Sequence, residues 1–207
     1  MASQKDCLKV VMFPWLAHGH ISPFLELAKT LSERNFRCYI ISTPVNFSSI
    51  KNKIPEIYSP TIHLLDLHLP LLPEPPPHHH TTNGLPIELH PTLRKALRGA
   101  EPEFSDLVRA LQPDLLIHDI LQPWARSVAA RLDIPSVSFF TGGTVAFSYY
   151  LHLGMHPGDD FPFPAIQLDK FELSTMMAAA LDTTGVKVLG GEAFLGEDGT
   201  ILFNTSR

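Results

Sequence analysis

The sequence predicts an α/β fold: a parallel, doubly wound sheet with helices on both faces. Three features lead there. Short apolar runs of strand length alternate with longer segments whose apolar residues recur at helical spacing. Pro, Gly or charged residues bound the strand runs. The alternation keeps its period through the first two thirds of the chain, which calls for βαβ units rather than hairpins.

Taken in order, Cys7 to Phe13 is the first strand, because its Leu-Lys-Val-Val-Met centre is too short for a buried helix and stops at Pro14. A helix starts near His20: Pro23 suits a first turn, and Phe24, Leu25, Leu27, Ala28 and Leu31 follow at helical spacing. Arg37 to Ser42 is a second strand that stops at Thr43-Pro44, with a short helix through Phe47 to Lys51. Ile62 to Leu69 alternates as a third strand, with His63 or His68 facing outward. Pro70 to Pro86 is a proline-rich loop, and Pro73 to His80 within it is an extended surface segment. Glu88 to Leu111 reads as a long interrupted helix, with Pro91 and Pro102 marking its starts or kinks. Strand four is Asp114 to Ile120, a helix runs from Pro123 to Leu132, and strand five is Ile134 to Phe140. Beyond Phe140 the pattern weakens to a helix from Thr144 to Leu153, a loop from Gly154 to Pro164, a helix around Phe171 to Leu181, and a sixth strand from Ile201 to Thr205. A last strand without a covering helix leaves a sheet face bare, so the chain is expected to be incomplete.

A length of 207 residues with 44% hydrophobic content allows one substantial core, read as one domain. The net charge of -5 and the lack of a strong Lys/Arg cluster argue against nucleic acid as the main partner. Met1 to Lys9 lacks the basic flank and apolar run of a signal peptide, and no segment approaches the roughly 18 apolar residues of a membrane span. A cytoplasmic location is the expectation. Cys7 and Cys38 both fall in predicted strands without metal-ligand spacing, and read as reduced, buried, small hydrophobes.

The chemistry gathers at strand ends. With strand order 3-2-1-4-5, strands one and four are neighbours, and the crevice past their carboxyl ends is the usual ligand site. His20 lies just past strand one, at a strand-to-helix corner where the helix dipole disfavours a positive charge and so favours the neutral imidazole. Asp119 closes the otherwise apolar run Leu115-Leu116-Ile117-His118-Asp119. A buried strand does not end on a charge without a partner, and the basic group that topology brings within reach is His20. The two read as base and orienter: the carboxylate fixes the tautomer while the other ring nitrogen takes a proton. No Ser or Cys sits on a Gly-x-Ser-x-Gly elbow, so the nucleophile belongs to a substrate. The first turn holds Gly19 alone and no G-x-G-x-x-G, which leaves a nicotinamide-dependent reaction without its fingerprint.

These residues resemble a known family. The Gly-His-x-x-Pro turn at Gly19, the Pro-Asp-Leu-Leu-Ile-x-Asp strand ending at Asp119, the Gln122-Pro123-Trp124-Ala125 that follows and the Phe139-Phe140-Thr141 strand end resemble the amino-terminal domain of plant family 1 UDP-dependent glycosyltransferases. His80-Thr81-Thr82-Asn83-Gly84-Leu85-Pro86 further resembles the branch-forming subgroup, which adds a sugar to the sugar of a glycoside. The resemblance implies the Rossmann-like amino-terminal half of a GT-B fold and an inverting transfer from a UDP-sugar, with no metal and no cofactor beyond that co-substrate. By it, His20 is the base, Asp119 its partner, Gly19 approaches the donor phosphates and Thr141 the donor sugar. Trp15, Gln122 and the loop around Leu85 line the acceptor pocket. The family's second domain, which binds uridine, ribose and diphosphate, has no counterpart here. The chain is therefore expected to be the acceptor half, residues 1–207, truncated, with a carboxy-terminal donor domain in cis or as a separate chain. A small-molecule glycoside and a UDP-sugar are the partners implied.

Plainer readings stand beside these. His18 is an acceptor-side or merely exposed residue. His78, His79 and His80 belong to a solvated loop rather than a metal site. Asp119 has an alternative role as a helix N-cap before Pro123, and Thr141 as the cap of the helix after it. A non-catalytic module that binds a glycoside or a partner in the same crevice is the competing function.

Overall fold

The computed structural model describes residues 7–70, 76–156, 159–166 and 201–203. The chain divides into two units, Met1–Val137 and Ser138–Arg207. In the first, β1 (Leu8–Phe13), β2 (Phe36–Ser42), β3 (Ile62–Asp66) and β4 (Leu115–Asp119) are parallel in the order β3-β2-β1-β4. The start of β5 (Ser136–Phe140) lies next to β4, since Leu116 N–H donates to Pro135 C=O at 2.9 Å. This is the doubly wound α/β order read from the sequence. In the second unit the remainder of β5 pairs in parallel with β6 (Ile201–Phe203), from Ser138↔Ile201 to Phe140↔Phe203.

Helices α1 (His18–Ser32), α2 (Pro44–Ile50), α3 (His90–Gly99), α4 (Glu101–Leu111) and α5 (Pro123–Arg131) belong to the first unit, and α6 (Thr144–Met155) to the second. Several boundaries move. The first helix begins two residues before His20, with Ala17 as N-cap. The second begins at Pro44 rather than Phe47, because proline at a first helical position gives up no intrahelical bond. The expected long helix is two, broken at Ala100 in front of Pro102. The third strand stops at Asp66; beyond it His68 is exposed and its ring Nδ1 lies 3.0 Å from Glu103. Three returns from helix to strand bend on non-glycine residues in the left-handed region: Asn35 (φ 63°), Gln112 (φ 46°) and Asp133 (φ 56°). Cys7 is half-buried just ahead of β1, and neither cysteine forms a disulfide. Burial pushes the Cys38 thiol up to about 11, which keeps it protonated and inert. The helix expected at Phe171 to Leu181 and the end of the sixth strand lie outside the described residues.

Strand alternation sorts the core. Val11 and Phe13 face the helices α3 to α5, where the Phe13 ring packs on Phe104 (centroids 4.3 Å) and meets Trp124 edge-on at 5.3 Å. Val10 and Met12, equally buried, point to the opposite face. Register sets the height of the strand ends: Phe13 stands opposite His118, so Pro14 and Asp119 emerge side by side. Among the described residues no helix is long and apolar enough to cross a membrane.

Candidate active site

Asp119 ends β4 with 1% of its side chain exposed, and a carboxylate so deeply placed must be met by donors. Leu121 N–H donates to Oδ1 at 3.0 Å and Trp15 N–H to Oδ2 at 3.4 Å. The same Oδ2 lies 2.6 Å from Nδ1 of His20. The first contact is local and the other two bridge β4 to the loop and helix that follow β1. The topology that places strands one and four together therefore brings the two expected residues into contact. Asp119 does not cap α5, whose N-cap is Gln122; its local bond secures the turn to Leu121 instead.

His20 keeps 27% of its side chain exposed. With a proton on Nδ1 donated to Asp119, Nε2 becomes the acceptor atom of the ring. The backbone beneath is anchored, since His20 N–H donates to Ala17 C=O at 3.0 Å. One side of this pair is thus closed by protein, while the imidazole reaches solvent. That combination suits proton abstraction from a bound hydroxyl.

Gly19 is exposed, and a Cβ built there meets nothing within 4 Å. Neither backbone strain nor crowding by this chain requires glycine at that position; the open space is what a close ligand approach needs. His18 is half-buried in the same first turn. Trp15, Leu85 and Gln122 lie inside, at 5%, 6% and 1% exposure. Trp15 carries the Arg94 guanidinium 5.7 Å over its ring. Gln122 N–H donates to Asp119 C=O at 3.0 Å and its Nε2 to Pro14 C=O at 3.3 Å, while its buried Oε1 has no hydrogen-bond partner among the described residues. Thr141 is half-buried in the second unit, and the N-cap of α6 is Gly143, so Thr141 does not cap that helix. The His78 and His79 rings meet at a tilt, 4.4 Å apart, with His78 exposed and His79 half-buried, and among the described residues no cluster of three His, Cys, Asp or Glu suits a metal ion.

Two features were not read from the sequence. His118 is buried, with Nδ1 3.0 Å from Asp119 C=O; desolvation holds its pKa below the ordinary histidine value, against the pull of that carbonyl and of the Asp119 charge. Its place next to Asp119 in a strand covered on both faces is the signal that could have found it. The other is a group of buried hydroxyls and amides at the end of β2, Ser42, Thr43 and Asn46, which meets His80.

Residues 6–207 match the family model described as the N-terminal domain of glycosyltransferases. The chain is 52% identical over 171 residues to the β-D-glucosyl crocetin β-1,6-glucosyltransferase of Gardenia jasminoides, covering 83% of this chain and 38% of that protein. It is 46% identical over 197 residues to a mogroside IIIx synthase of Siraitia grosvenorii, covering 94% and 41%. The chain thus spans about two fifths of the length of these curated relatives. The crystal structure of Glycyrrhiza uralensis UGT73P12 complexed with glycyrrhetinic acid 3-O-monoglucuronide superposes with a TM-score of 0.70 at 21% identity, over 96% of this chain and 44% of that one, which shows the fold.

Proposed function

Because the chain belongs to the glycosyltransferase N-terminal domain family, among plant UDP-dependent relatives that branch glycosides, we propose that it is the acceptor-binding, base-carrying half of an inverting UDP-sugar glycosyltransferase. The observation that carries this reading is the 2.6 Å contact between a half-open His20 and a buried Asp119. Nε2 of the neutral imidazole takes the proton of an acceptor hydroxyl, and Nδ1–H stays donated to Asp119, whose charge stabilises the imidazolium that forms. The acceptor oxygen bonds to the anomeric carbon from the face opposite the diphosphate. The bond from that carbon to the phosphate oxygen breaks, and UDP leaves with the electron pair. So stable a leaving group needs no general acid.

The open approach at Gly19 suits the donor phosphates, and the resemblance assigns Thr141 to the donor sugar. Trp15, His18, Leu85 and Gln122 are the acceptor-side residues, and the acceptor is a plant natural-product glycoside that receives a hexose, glucose being the sugar named for the Gardenia relative. A carboxy-terminal donor domain, in the same chain or a separate one, supplies the nucleotide contacts. The test joins this chain to such a donor half and replaces His20 by Ala: the initial rate with UDP-glucose and a glycoside falls by about 10³-fold. Transfer at the parent rate sinks the base assignment. The 207-residue chain should bind the glycoside in a calorimeter yet turn over no UDP-glucose; turnover by this chain in a clean preparation overturns the division of labour.

A further inference from the structure

The segment His80 to Leu85 does not lie on the surface as a proline-rich loop would. Thr43 Oγ1–H donates to His80 C=O at 2.7 Å, and Asn46 Nδ2 donates to Thr43 Oγ1 at 2.9 Å, to Ser42 Oγ at 3.3 Å and to His80 C=O at 3.4 Å. From there the segment crosses to the loop between β1 and α1: Thr82 N–H donates to Leu16 C=O at 2.8 Å and Thr81 Oγ1 to the same oxygen at 3.4 Å. Leu85 N–H then closes on Thr82 C=O at 3.2 Å and its side chain joins the core cluster with Leu16 and Trp15. Leu16 is four residues before His20, so this loop is moored to the corner that carries the base.

The mooring is made of hydroxyl, amide and backbone groups of residues that are almost wholly buried: Ser42 and Thr43 at 0%, Asn46 at 1%, His80 at 6% and Thr81 at 5%. It is also incomplete, since Asn46 Oδ1 is buried with no hydrogen-bond partner among the described residues. A partly satisfied buried network stabilises a fold less than an apolar filling of the same volume. What such a network does supply is a restricted position for the backbone it holds, because the Thr43 hydroxyl and the Asn46 amide converge on the one His80 carbonyl. Asn83, Gly84 and Pro86 to Glu88 stand exposed just beyond the moored residues, and Gly84 turns on a φ of 74°.

We propose that Thr43 and Asn46 are positioning residues that set acceptor specificity, by clamping the His80–Leu85 loop beside the His20 corner. This rests on the reading of the crevice as an acceptor site. Neither side chain touches the acceptor; they fix the loop that carries Leu85, one of the proposed acceptor-side residues, and so set how well a glycoside is held against its smaller aglycone.

The variants are Thr43→Val, which removes the hydroxyl at nearly equal volume, Thr43→Ser, which restores it, and Asn46→Ala. Amide exchange at Thr82 and Leu85 is measured in the 207-residue chain, with calorimetric binding of a flavonoid monoglucoside and of its aglycone. Exchange at both amides rises about tenfold in Thr43→Val and Asn46→Ala, amides of β1 and β4 stay unchanged, and the preference for the glucoside falls by about fivefold to tenfold. Thr43→Ser recovers both readouts. Unchanged exchange at Thr82 and Leu85 overturns the clamp. Faster exchange with an unchanged preference makes the network merely structural, and a wild-type chain that binds neither compound overturns the specificity role. A variant that fails to fold is replaced by Thr43→Ala or Asn46→Ser, which remove the same groups and whose exchange at the same two amides decides the matter. Failure of the base assignment stays distinguishable: binding without sugar transfer in the reconstituted enzyme removes that assignment and leaves the clamp standing.

Discussion

The ends of β4 and β2 face the same edge of one sheet and solve opposite problems. At β4 the chain stops on a charge, buried and saturated by two backbone N–H groups and a half-open histidine. At β2 it stops on Ser42 and Thr43, neutral and buried, with an acceptor of Asn46 left unmatched among the described residues. A buried charge must be fully met or it unfolds the site, so the β4 end gathers two backbone donors and the half-open His20 imidazole. Neutral groups tolerate an incomplete set, so the β2 end can hold a loop without making the fold depend on it. On the proposed reading, reactivity and loop placement are separated onto two strand ends.

The largest effect that could break this contrast is at Asp119. Asp119→Asn puts an amide donor against groups that already donate, forces the His20 ring toward the other tautomer, and should lower transfer in the reconstituted enzyme by about 10³-fold, close to the loss from His20→Ala. A loss under tenfold, measured as kcat, would mean that the carboxylate does not orient the ring. Asp119→Ala additionally strands the Trp15 and Leu121 N–H groups and should cost about 3 kcal/mol in urea unfolding. Asn46→Ala at the other strand end should cost about 1 kcal/mol in the same measurement, and an equal cost at both ends would erase the distinction between them.

A smaller effect comes from His118, which lies on the β4 side alone. Its ring is neutral in the folded chain because burial depresses its pKa, whereas the unfolded chain takes up a proton below about 6.5. The unfolded state then binds more protons, so stability rises with pH through this window, falls as the pH drops below about 6.5, and levels off once the pH is under the folded value. His118→Gln should remove up to one proton's worth of that slope, read as the difference between the two unfolding midpoints from pH 5 to 7.5. Parallel curves would show that the ring titrates in the fold as it does in the unfolded chain. Least of all, Gly19→Ala should change stability by less than about 0.5 kcal/mol, since no atom of this chain crowds the new methyl, while weakening UDP-glucose use in the reconstituted enzyme. A large loss of stability would show that the glycine serves the fold rather than a ligand.

The pairing of His20 with Asp119 was legible because each is anomalous locally: a histidine opening a helix after a strand, and a carboxylate closing an apolar run. Strand order then supplied the meeting. His118 was legible only through the fold class, because one polar residue in an apolar strand is ambiguous until helices are placed on both faces of the sheet. The break at Ala100 was half-legible: Pro102 announces it, yet two helices and one kinked helix share the same apolar spacing. The mooring of His80 was invisible, since prolines and histidines in a run describe a composition and say nothing about which carbonyl a distant threonine will reach.

By itself the sequence determined the α/β class, the parallel strand order and the identity of the two residues at the corner, because periodicity, chain reach and the cost of burying a charge act locally or through topology. Tertiary structure alone decided that Trp15 N–H shares an oxygen with His20, that Asn35, Gln112 and Asp133 turn left-handed, and that Thr43 holds a loop 37 residues away. Those outcomes depend on register to within one hydrogen-bond length. Such precision arises when whole elements pack against one another, and no window of neighbouring residues contains it.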